Sequence, residues 1–390
     1  MKKIAIVTAT RAEYGLLSPV IRELRKLESN LFKAELIVTG THLNSNYGMT
    51  VEEIEKDDLR IDRRIEIPVD SCSEIDISNN QASALQKFTN LFAAEKYDAV
   101  MLLGDRYETL AIAIAAGNTR TPIFHLCGGD TTEGALDEWI RHSITKISYL
   151  HFVTNSDSDR RVVQLGENPS HVFNFGSTSI DNILSVATMG KTEALESIGM
   201  ADCRYAVCTY HPVTMEIGNL DDQMYNFLLA IQNFEDIQFI VTKSNADQGG
   251  MRINQILNEA EKDIDNLHVF TSLGIKRYLS LMKYAEFVIG NSSSGIIEAP
   301  VFGVPTVNIG DRQKGRLRSA SIINCGIYKN DIIDAIKEAL SEKHKEISRN
   351  VISPYGDGHA AERIAKKAYQ VIVDGNVDLK KKFYDIQFEV

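Results

Sequence analysis

The chain has 390 residues, of which 44% are hydrophobic and 24% charged, so it is long enough for two domains and too apolar to be disordered. Its formal net charge of −11 argues against a nucleic-acid-binding protein, although a local group of arginines can still bind an anionic small ligand. The five cysteines are widely spaced, without a C-x-x-C pair, which argues against a disulfide framework or a zinc site and favours a reducing compartment.

No segment has the pattern of a membrane or export signal. The first apolar run meets Arg11 and Glu13 too early for a signal peptide, and no stretch approaches the ~18 apolar residues of a membrane span. We therefore expect a cytoplasmic protein without a membrane partner.

Short apolar runs alternate along the chain with segments of helical periodicity. The runs are Ile4–Ala9, Ala34–Thr39, Ala99–Leu103, Pro122–Leu126, Leu150–Thr154, Tyr205–Tyr210, Ile237–Thr242, Leu267–Phe270, Phe287–Gly290 and Thr306–Ile309. The helical segments include Leu16–Leu27, Leu85–Ala94, Asp221–Asn233 and Ile275–Tyr284. Continuous apolar strands between helices are typical of a parallel sheet covered on both faces. The pattern occurs twice, so the sequence predicts an α/β fold with two doubly wound, Rossmann-like domains.

The polar segment Ser185–Asp202 separates the two series of strands. We place the N-terminal domain at residues 1–185 and the C-terminal domain at residues 186–358. A helix predicted at His359–Val373 is expected to complete the N-terminal domain.

Ligands of such sheets bind outside the carboxyl ends of the strands. The polar residues that directly follow an apolar run, such as Asp105 and Arg106 after Leu103, or His211 after Tyr210, are therefore the candidates for a site. Two domains of this kind predict a ligand in a cleft between them.

Two common cofactor motifs do not occur. No G-x-G-x-x-G follows the first strand, so a dehydrogenase is poorly supported. There is no H-E-x-x-H and no tight His/Cys group. We expect neither a cofactor nor a metal.

The segment Asn291–Gly295 lies between a predicted strand and a helix predicted at Ile296–Val301. Its small residues and the hydroxyls of Ser292 and Ser293 are typical of a phosphate-binding turn at a helix start. Glu298, one turn into the helix, is placed to accept from ribose hydroxyls. The alternative is ordinary N-capping, with Glu298 complementing the helix dipole.

Arginines at strand ends are candidates for binding a diphosphate. Arg11, Arg106 and Arg312 follow apolar runs, where a guanidinium can hold a phosphate through two hydrogen bonds. Surface ion pairs are the alternative. His211 is likewise either a ligand contact or a core histidine.

Several acidic residues occur after two neighbouring strands. Asp105 follows one strand end, and Asp130 and Asp137 follow the next, with Arg141 four residues after Asp137. Grouped carboxylates are what proton transfer at carbon requires. The alternative is a set of helix caps and surface ion pairs.

These segments together match a known family. They are Thr8–Gly15, Val38–His42, Leu103–Glu108, Ile140–Lys146, His211–Thr214, Gly290–Gly295 and Gly310–Arg316. In this order and spacing the chain, from residue 3 to about residue 365, resembles the hydrolysing UDP-N-acetylglucosamine 2-epimerases of sialic acid biosynthesis. The resemblance implies a GT-B-like fold, with two domains facing across a cleft.

The resemblance also implies roles for individual residues. The positions that match UDP-binding residues of the family are Arg11, His211, Asn245, Ser292, Ser293, Glu298 and Arg312. Asp105 and Asp137 match its acid/base carboxylates, and Arg106 and Arg141 match their positively charged partners.

One loop departs from the family pattern. Some relatives read His-x-Glu-Gly-Gly-Glu here and others read His-x-His-Gly-Gly-Glu. This chain has Cys127 at the third position and the shorter acid Asp130 at the last. A glutamate role cannot be transferred to Cys127, so the proton transfers fall to Asp105, Asp137 and Asp130. The change can also mark a different sugar.

The activity that the resemblance implies is hydrolysing 2-epimerisation of UDP-N-acetylglucosamine to N-acetylmannosamine and UDP, without a cofactor, in a homodimer or homotetramer. A UDP- or GDP-linked 2,4-diacetamido-2,4,6-trideoxy sugar is a second possible substrate. The motifs are also compatible with a GT-B glycosyltransferase, with a nucleotide-sugar sensor without turnover, and with a non-hydrolysing epimerase, which usually reads His-Gly-Asp-Thr at residues 103–106.

Overall fold

The computed structural model describes residues 1–45, 49–69, 74–131, 136–186, 188–211, 220–244, 250–375 and 377–387. They form two compact units. The N-terminal unit comprises Met1–Asn182 and Tyr355–Val390, and the C-terminal unit comprises Ile183–Pro354.

The N-terminal unit is built on a seven-stranded parallel sheet. Its strands are β1 (Lys2–Thr8), β2 (Phe32–Thr39), β3 (Arg63–Ile65), β4 (Ala99–Leu103), β5 (Ile123–Leu126), β6 (Leu150–Val153) and β7 (Val172–Asn174). They are ordered β3-β2-β1-β4-β5-β6-β7, and Ile4 of β1 lies opposite Ala34 of β2 and Ala99 of β4. Successive strands are added on one side of β1 up to β3 and then on its other side from β4 onwards. The place between β1 and β4 where the order reverses is the switch point, at which ligands of such folds bind.

The C-terminal unit repeats this arrangement with six parallel strands. They are β8 (Tyr205–Thr209), β9 (Gln238–Thr242), β10 (Leu267–Phe270), β11 (Phe287–Gly290), β12 (Thr306–Ile309) and β13 (Ile322–Cys325). The order is β10-β9-β8-β11-β12-β13, so the corresponding switch point lies between β8 and β11.

Helices connect the strands in both units. They are α1 (Arg11–Lys26), α2 (Val51–Lys56), α3 (Glu74–Glu95), α4 (Tyr107–Asn118), α5 (Leu136–Ile147), α6 (Ser156–Gln164), α7 (Thr178–Ser185), α8 (Lys191–Glu196), α9 (Leu220–Ile231), α10 (Gly250–Ala260), α11 (Gly274–Tyr284), α12 (Ser293–Ile297), α13 (Lys329–Leu340), α14 (Glu342–Arg349) and α15 (Ala360–Asp374). Helix α1 begins with a capping box between Thr10 and Glu13, which satisfies main-chain N–H groups at the helix start. Among the described residues, no helix has the length and apolar character needed to cross a membrane.

The last helix, α15, packs against the core of the N-terminal unit. Small and aliphatic side chains on one face of α15, including Ala361, Ile364 and Ala368, are buried with Leu17 and Ile21 of α1. Burial of this apolar face stabilises the docking of a segment that follows the whole C-terminal unit in sequence.

The prediction of two parallel-sheet α/β domains is confirmed. Three strands that the sequence did not predict, β3, β7 and β13, lie at sheet edges. The helix predicted at Ile296–Val301 was wrong in its bounds, since α12 ends at Ile297 and a 3₁₀ turn follows at Ala299–Phe302. Pro300 explains the change because it has no N–H to continue the α-helical ladder.

Candidate active site

The first group of predicted residues lies at the carboxyl end of β4. Asp105 follows the strand, and its carboxylate forms an ion pair with the guanidinium of Arg141 from α5. Burial, together with the charge of nearby Arg161, lowers the pKa of Arg141 to about 10. The guanidinium is therefore charged at neutral pH, and Asp105 is a paired carboxylate.

Arg141 also contacts Asp130. Its Nη1 donates to the main-chain oxygen of Asp130 at 2.8 Å. The Asp130 carboxylate atom Oδ1 accepts from the hydroxyls of Ser158 at 2.5 Å and Thr154 at 2.9 Å. The Asn155 amide is a third donor at 3.5 Å. An oxygen with three donors is fixed in orientation, so this geometry favours a role for Asp130 in anchoring its loop.

The loop that carries Asp130 is tightly constrained. Cys127 adopts a positive φ of 63°, which is uncommon for a residue with a side chain. Gly129 has a φ of +79°, and a Cβ on it would lie 2.4 Å from the main-chain oxygen of Ser158. Burial and the Asp130 charge raise the pKa of the Cys127 thiol, so it stays protonated at neutral pH.

Asp137 differs from the other two acids in its surroundings. It is exposed in the first turn of α5, four residues before Arg141. In the part of the chain that the structure describes, its carboxylate has no hydrogen-bond or ion-pair partner. The structure thus brings Asp105, Asp130 and Arg141 into contact and places Asp137 one helical turn from Arg141.

The two arginines of the N-terminal unit that are predicted to bind the diphosphate lie after β1 and β4. Arg11 begins α1, is largely exposed, and pairs with Glu53, with 3.0 Å between Nε and Oε2. Arg106 precedes α4, and its Nε donates to Oε1 of Glu108 at 2.8 Å. Each arginine is therefore paired with a glutamate from its own unit.

The second group lies at the switch point of the C-terminal unit. Gly290 has a φ of +134°, and a Cβ there would lie 2.1 Å from the main-chain oxygen of Thr209, so the ends of β8 and β11 approach too closely for any other residue. The Asn291 side chain bonds to the main chain of His211. The imidazole Nδ1 of His211 lies 3.4 Å from the Ser244 hydroxyl.

A cavity of about 410 Å³ opens beside this switch point. It is lined by the predicted residues His211, Ser292 and Glu298, and also by Ser294 and the segment Thr271–Ile275. Its volume falls in the range of ~300–1,000 Å³ typical of small-ligand sites. All of its described lining residues belong to the C-terminal unit.

Polar groups on the cavity wall form a hydrogen-bonded series. The Tyr278 hydroxyl donates to Ser294 Oγ at 3.0 Å, and Ser294 Oγ donates to Oε2 of Glu298. Burial raises the pKa of Glu298, and burial together with the Glu298 charge raises the pKa of Tyr278 to about 12. Glu298 is thus oriented by two hydroxyl side chains.

The remaining predicted residues of this unit differ in position. Ser293 begins α12, but it is not among the described residues that line the cavity. The Nη1 of Arg312 donates to the main-chain oxygen of Asn291 at 3.1 Å, which places Arg312 at the end of β11. Asn245 lies outside the described residues.

Sequence reasoning missed Tyr278 and the segment Thr271–Ile275. The segment directly follows β10, so the strand-end rule that selected His211 would have found it. Tyr278 carries no comparable signal, because a tyrosine inside an amphipathic helix is ordinarily a core residue.

Within the described ranges, no three His, Cys, Asp or Glu residues lie close enough together to hold a metal ion.

Comparison with known families matches residues 25–368 to the family described as UDP-N-acetylglucosamine 2-epimerase. The polysialic acid biosynthesis protein P7 of Escherichia coli is 39% identical over 99% of this chain and 98% of its own length. The GDP/UDP-N,N'-diacetylbacillosamine 2-epimerase (hydrolyzing) of Campylobacter jejuni is 40% identical over 88% of this chain and 89% of its own. The UDP-N-acetylglucosamine 2-epimerase of Neisseria meningitidis is 31% identical over 87% of this chain and 88% of its own.

Solved structures share the fold. A crystal structure described as a putative UDP-N-acetylglucosamine 2-epimerase from Listeria monocytogenes has a TM-score of 0.79, with 20% identity over 99% of this chain and 100% of the other. The UDP-GlcNAc 2-epimerase from Neisseria meningitidis bound to UDP-GlcNAc has a TM-score of 0.77, with 19% identity over 95% of this chain and 100% of the other.

Proposed function

The chain belongs to the UDP-N-acetylglucosamine 2-epimerase family, and on that premise we propose that it is a hydrolysing 2-epimerase that converts UDP-N-acetylglucosamine into N-acetylmannosamine and UDP. The observation that carries the proposal is the cavity at the β8–β11 switch point, lined by His211, Ser292 and Glu298. Relatives of similar length that are named for polysialic acid biosynthesis and for UDP-N-acetylglucosamine support the substrate.

The cavity residues divide by chemistry. Glu298, oriented by Ser294, offers a carboxylate to the ribose hydroxyls, and Ser292 and His211 offer donors to the diphosphate. Ser293, Asn245 and Arg312 remain family-based assignments to the same nucleotide. The segment Thr271–Ile275, which forms the remaining wall of the cavity, is assigned to contact the uracil ring.

The reaction is an elimination followed by hydration. A carboxylate takes the proton from C2 of the sugar, the bond from C1 to the phosphate oxygen breaks, and its electron pair leaves on UDP, forming a 2-acetamidoglucal. Water then adds its oxygen at C1, and a proton is delivered to C2 from the opposite face. Two carboxylates on different segments suit these two transfers, and we assign them to Asp105 and Asp137.

Arg141 and Arg106 supply positive charge to this step. Arg141 holds the Asp105 carboxylate in one place, and Arg106 offers donors to the departing diphosphate. Positive charge that is already in place stabilises the diphosphate as its bond to C1 breaks. This assistance is needed because the C2 proton is only weakly acidic. Arg11, at the end of β1, is assigned to the same diphosphate.

A second candidate substrate is a UDP- or GDP-linked 2,4-diacetamido-2,4,6-trideoxy sugar. The Campylobacter jejuni relative, named for N,N'-diacetylbacillosamine, is 40% identical. Cys127 and Asp130 also occupy positions at which UDP-N-acetylglucosamine enzymes carry other residues.

The deciding experiment is proton NMR of the purified protein in D₂O with UDP-N-acetylglucosamine. Free UDP and N-acetylmannosamine with deuterium at C2 are the expected products. UDP-linked N-acetylmannosamine without free UDP would instead indicate the non-hydrolysing reaction. The 2,4-diacetamido sugars, linked to UDP and to GDP, are assayed in parallel. If kcat/KM for one of them is at least about tenfold higher than for UDP-N-acetylglucosamine, that sugar is the preferred substrate.

A further inference from the structure

A buried pair of glutamates lies beside Arg106 and has no place in the mechanism above. Glu108 in α4 is 1% exposed and Glu13 in α1 is 6% exposed. Burial and the Glu108 charge raise the pKa of Glu13 to about 7. Two buried carboxylates close together destabilise a fold, so their presence calls for a reason other than stability.

The two glutamates are bonded differently. Glu13 accepts from the N–H groups of Ala9 at 2.8 Å and Thr10 at 3.1 Å, and from the Thr109 hydroxyl at 3.2 Å. Glu108 accepts only from Arg106, through Oε1, and its buried Oε2 has no partner among the described residues. Glu13 therefore completes the start of α1, whereas the contact that Glu108 makes is with Arg106.

Arg106 is held on one side and open on the other. Its Nε bonds to Glu108, and its guanidinium carbon lies 5.6 Å from the centre of the Tyr107 ring. Within the described part of the chain, neither Nη1 nor Nη2 has an acceptor, and 42% of the side chain is exposed. The two terminal nitrogens form a fork that suits two oxygens of one anionic group.

We propose that Glu108 is a positioning residue, which fixes the guanidinium of Arg106 through Nε so that its two terminal nitrogens bind the diphosphate of the substrate. This inference rests on the proposed function, because it takes the diphosphate of a nucleotide sugar as the ligand of Arg106. A guanidinium fixed before the substrate arrives loses less conformational freedom on binding than a free one. The carboxylate of Glu108 acts through Arg106 and does not touch the substrate.

A double-mutant cycle tests the proposal on the full-length protein. Kinetics with the nucleotide sugar are measured for Arg106→Ala, Glu108→Ala and the double variant. Each single variant is expected to lower kcat/KM by about 10- to 100-fold, and the double variant by no more than the stronger single one, because Glu108 acts only through Arg106. Multiplied losses in the double variant would overturn the proposal.

The cycle is repeated with Glu108→Gln, which keeps an acceptor for Arg106 Nε and is less disruptive to folding than alanine. This variant is expected to retain kcat/KM within about tenfold of the wild type. Asp62→Ala is the matched control, since Asp62 is a 9% exposed carboxylate that pairs with Arg25 and precedes the edge strand β3, whereas Arg106 follows the central strand β4. It is expected to lower thermal stability without changing kcat/KM.

The outcomes separate the two proposals. An active wild type, with losses that multiply in the double variant or with no loss at all in Glu108→Ala, contradicts the role of Glu108 alone. A wild type that turns over none of the nucleotide sugars contradicts the proposed function, and the role of Glu108 falls with it.

Discussion

Asn291 holds both main-chain groups of His211. Its Nδ2 donates to the carbonyl oxygen of His211 at 2.8 Å, and its Oδ1 accepts from the N–H of His211 at 2.7 Å. The two residues follow β11 and β8, the strands on either side of the switch point. A side chain that is 1% exposed thus fixes the position of a predicted ligand residue 80 residues earlier in the chain.

We expect Asn291→Ala to weaken the binding of UDP by about tenfold, because His211 loses both hydrogen bonds that fix its main chain. Asn291→Asp should be worse, since its carboxylate repels both the carbonyl of His211 and the phosphates. Isothermal titration calorimetry with UDP measures both. Asn233→Ala is the control, because Asn233 is an exposed asparagine whose side-chain amide donates to the carbonyls of Leu229 and Ala230 at the end of the preceding helix. UDP affinity in Asn291→Ala equal to that of the control would contradict the role assigned to Asn291.

Replacing each of the three acids predicted for proton transfer by asparagine should lower kcat by different amounts. Asp130→Asn keeps an oxygen for Ser158 and Thr154, so it should lose less than about tenfold in kcat if Asp130 anchors its loop. Asp105→Asn and Asp137→Asn remove a group that transfers protons and should lose about 10²- to 10⁴-fold. Deuterium incorporation at C2 is the readout.

Asp130→Ala provides the contrast for this comparison. It removes the acceptor as well as the charge, so it should be much less active than Asp130→Asn. If kcat falls equally in the two variants, by about 10²-fold or more in each, Asp130 would instead have an acid/base role.

The buried Glu13 should make the protein less stable as the pH rises. Its pKa lies near 7 in the folded protein and near 4.5 when unfolded, so the folded state binds the extra proton between these values. Stability from this group is full below pH 4.5 and is lost as the pH rises through 7. Glu13→Gln should cancel that loss, which amounts to about 3 kcal/mol.

The measurement is urea unfolding of both proteins between pH 4.5 and pH 8. Glutamine suits the site because its carbonyl can accept from Ala9 and Thr10 while its amide donates to Thr109. The Gln variant should gain stability relative to the wild type across this range. A difference that does not change with pH would show that Glu13 does not titrate there.

The sequence predicted the fold well where strands are buried on both faces. Each of the ten predicted runs forms a strand, and nine of them are central strands, which need apolar side chains on both faces; the tenth, β10, is an edge strand that also has an apolar run. β3, with the sequence Arg-Arg-Ile, lies at an edge and has only one neighbour, so it needs no apolar run. Edge strands of this kind have no pattern that distinguishes them from loops.

The residues of the candidate site also differ in whether the sequence could predict them. Asp105, His211 and Ser292 follow strand ends, and a rule about strand ends finds them. The contact of Glu13 with Thr109 joins residues 96 apart in the chain, and it arises only because β1 and β4 are neighbours in the sheet. The sequence contains such residues but does not pair them, so the burial of the two glutamates beside Arg106 could not be predicted.

Lys381 helps to anchor the segment after α15 to the rest of the N-terminal unit, and removal of its side chain should measurably lower stability. Lys381 donates to the carbonyls of Lys146 and Ser148, at 2.9 Å and 2.7 Å, and its Nζ lies 2.6 Å from Oε2 of Glu167. Burial opposes the charge on Glu167, but hydrogen bonds from His151, Lys146 and Lys381 outweigh it and lower its pKa to about 2.

Lys381→Met should therefore cost about 2 kcal/mol at pH 7, because it leaves a 2% exposed carboxylate with one donor fewer. The stability that Glu167 contributes is full above pH 4.5 and is lost as the pH falls through 2, so the difference between Lys381→Met and the wild type should narrow on acidification. Urea unfolding at pH 7, 5 and 3 measures this difference. Lys366→Met, which breaks an exposed ion pair with Glu362, is the control and should cost no more than about 0.5 kcal/mol. Equal losses in the two variants at pH 7 would mean that Lys381 contributes no more than a surface charge.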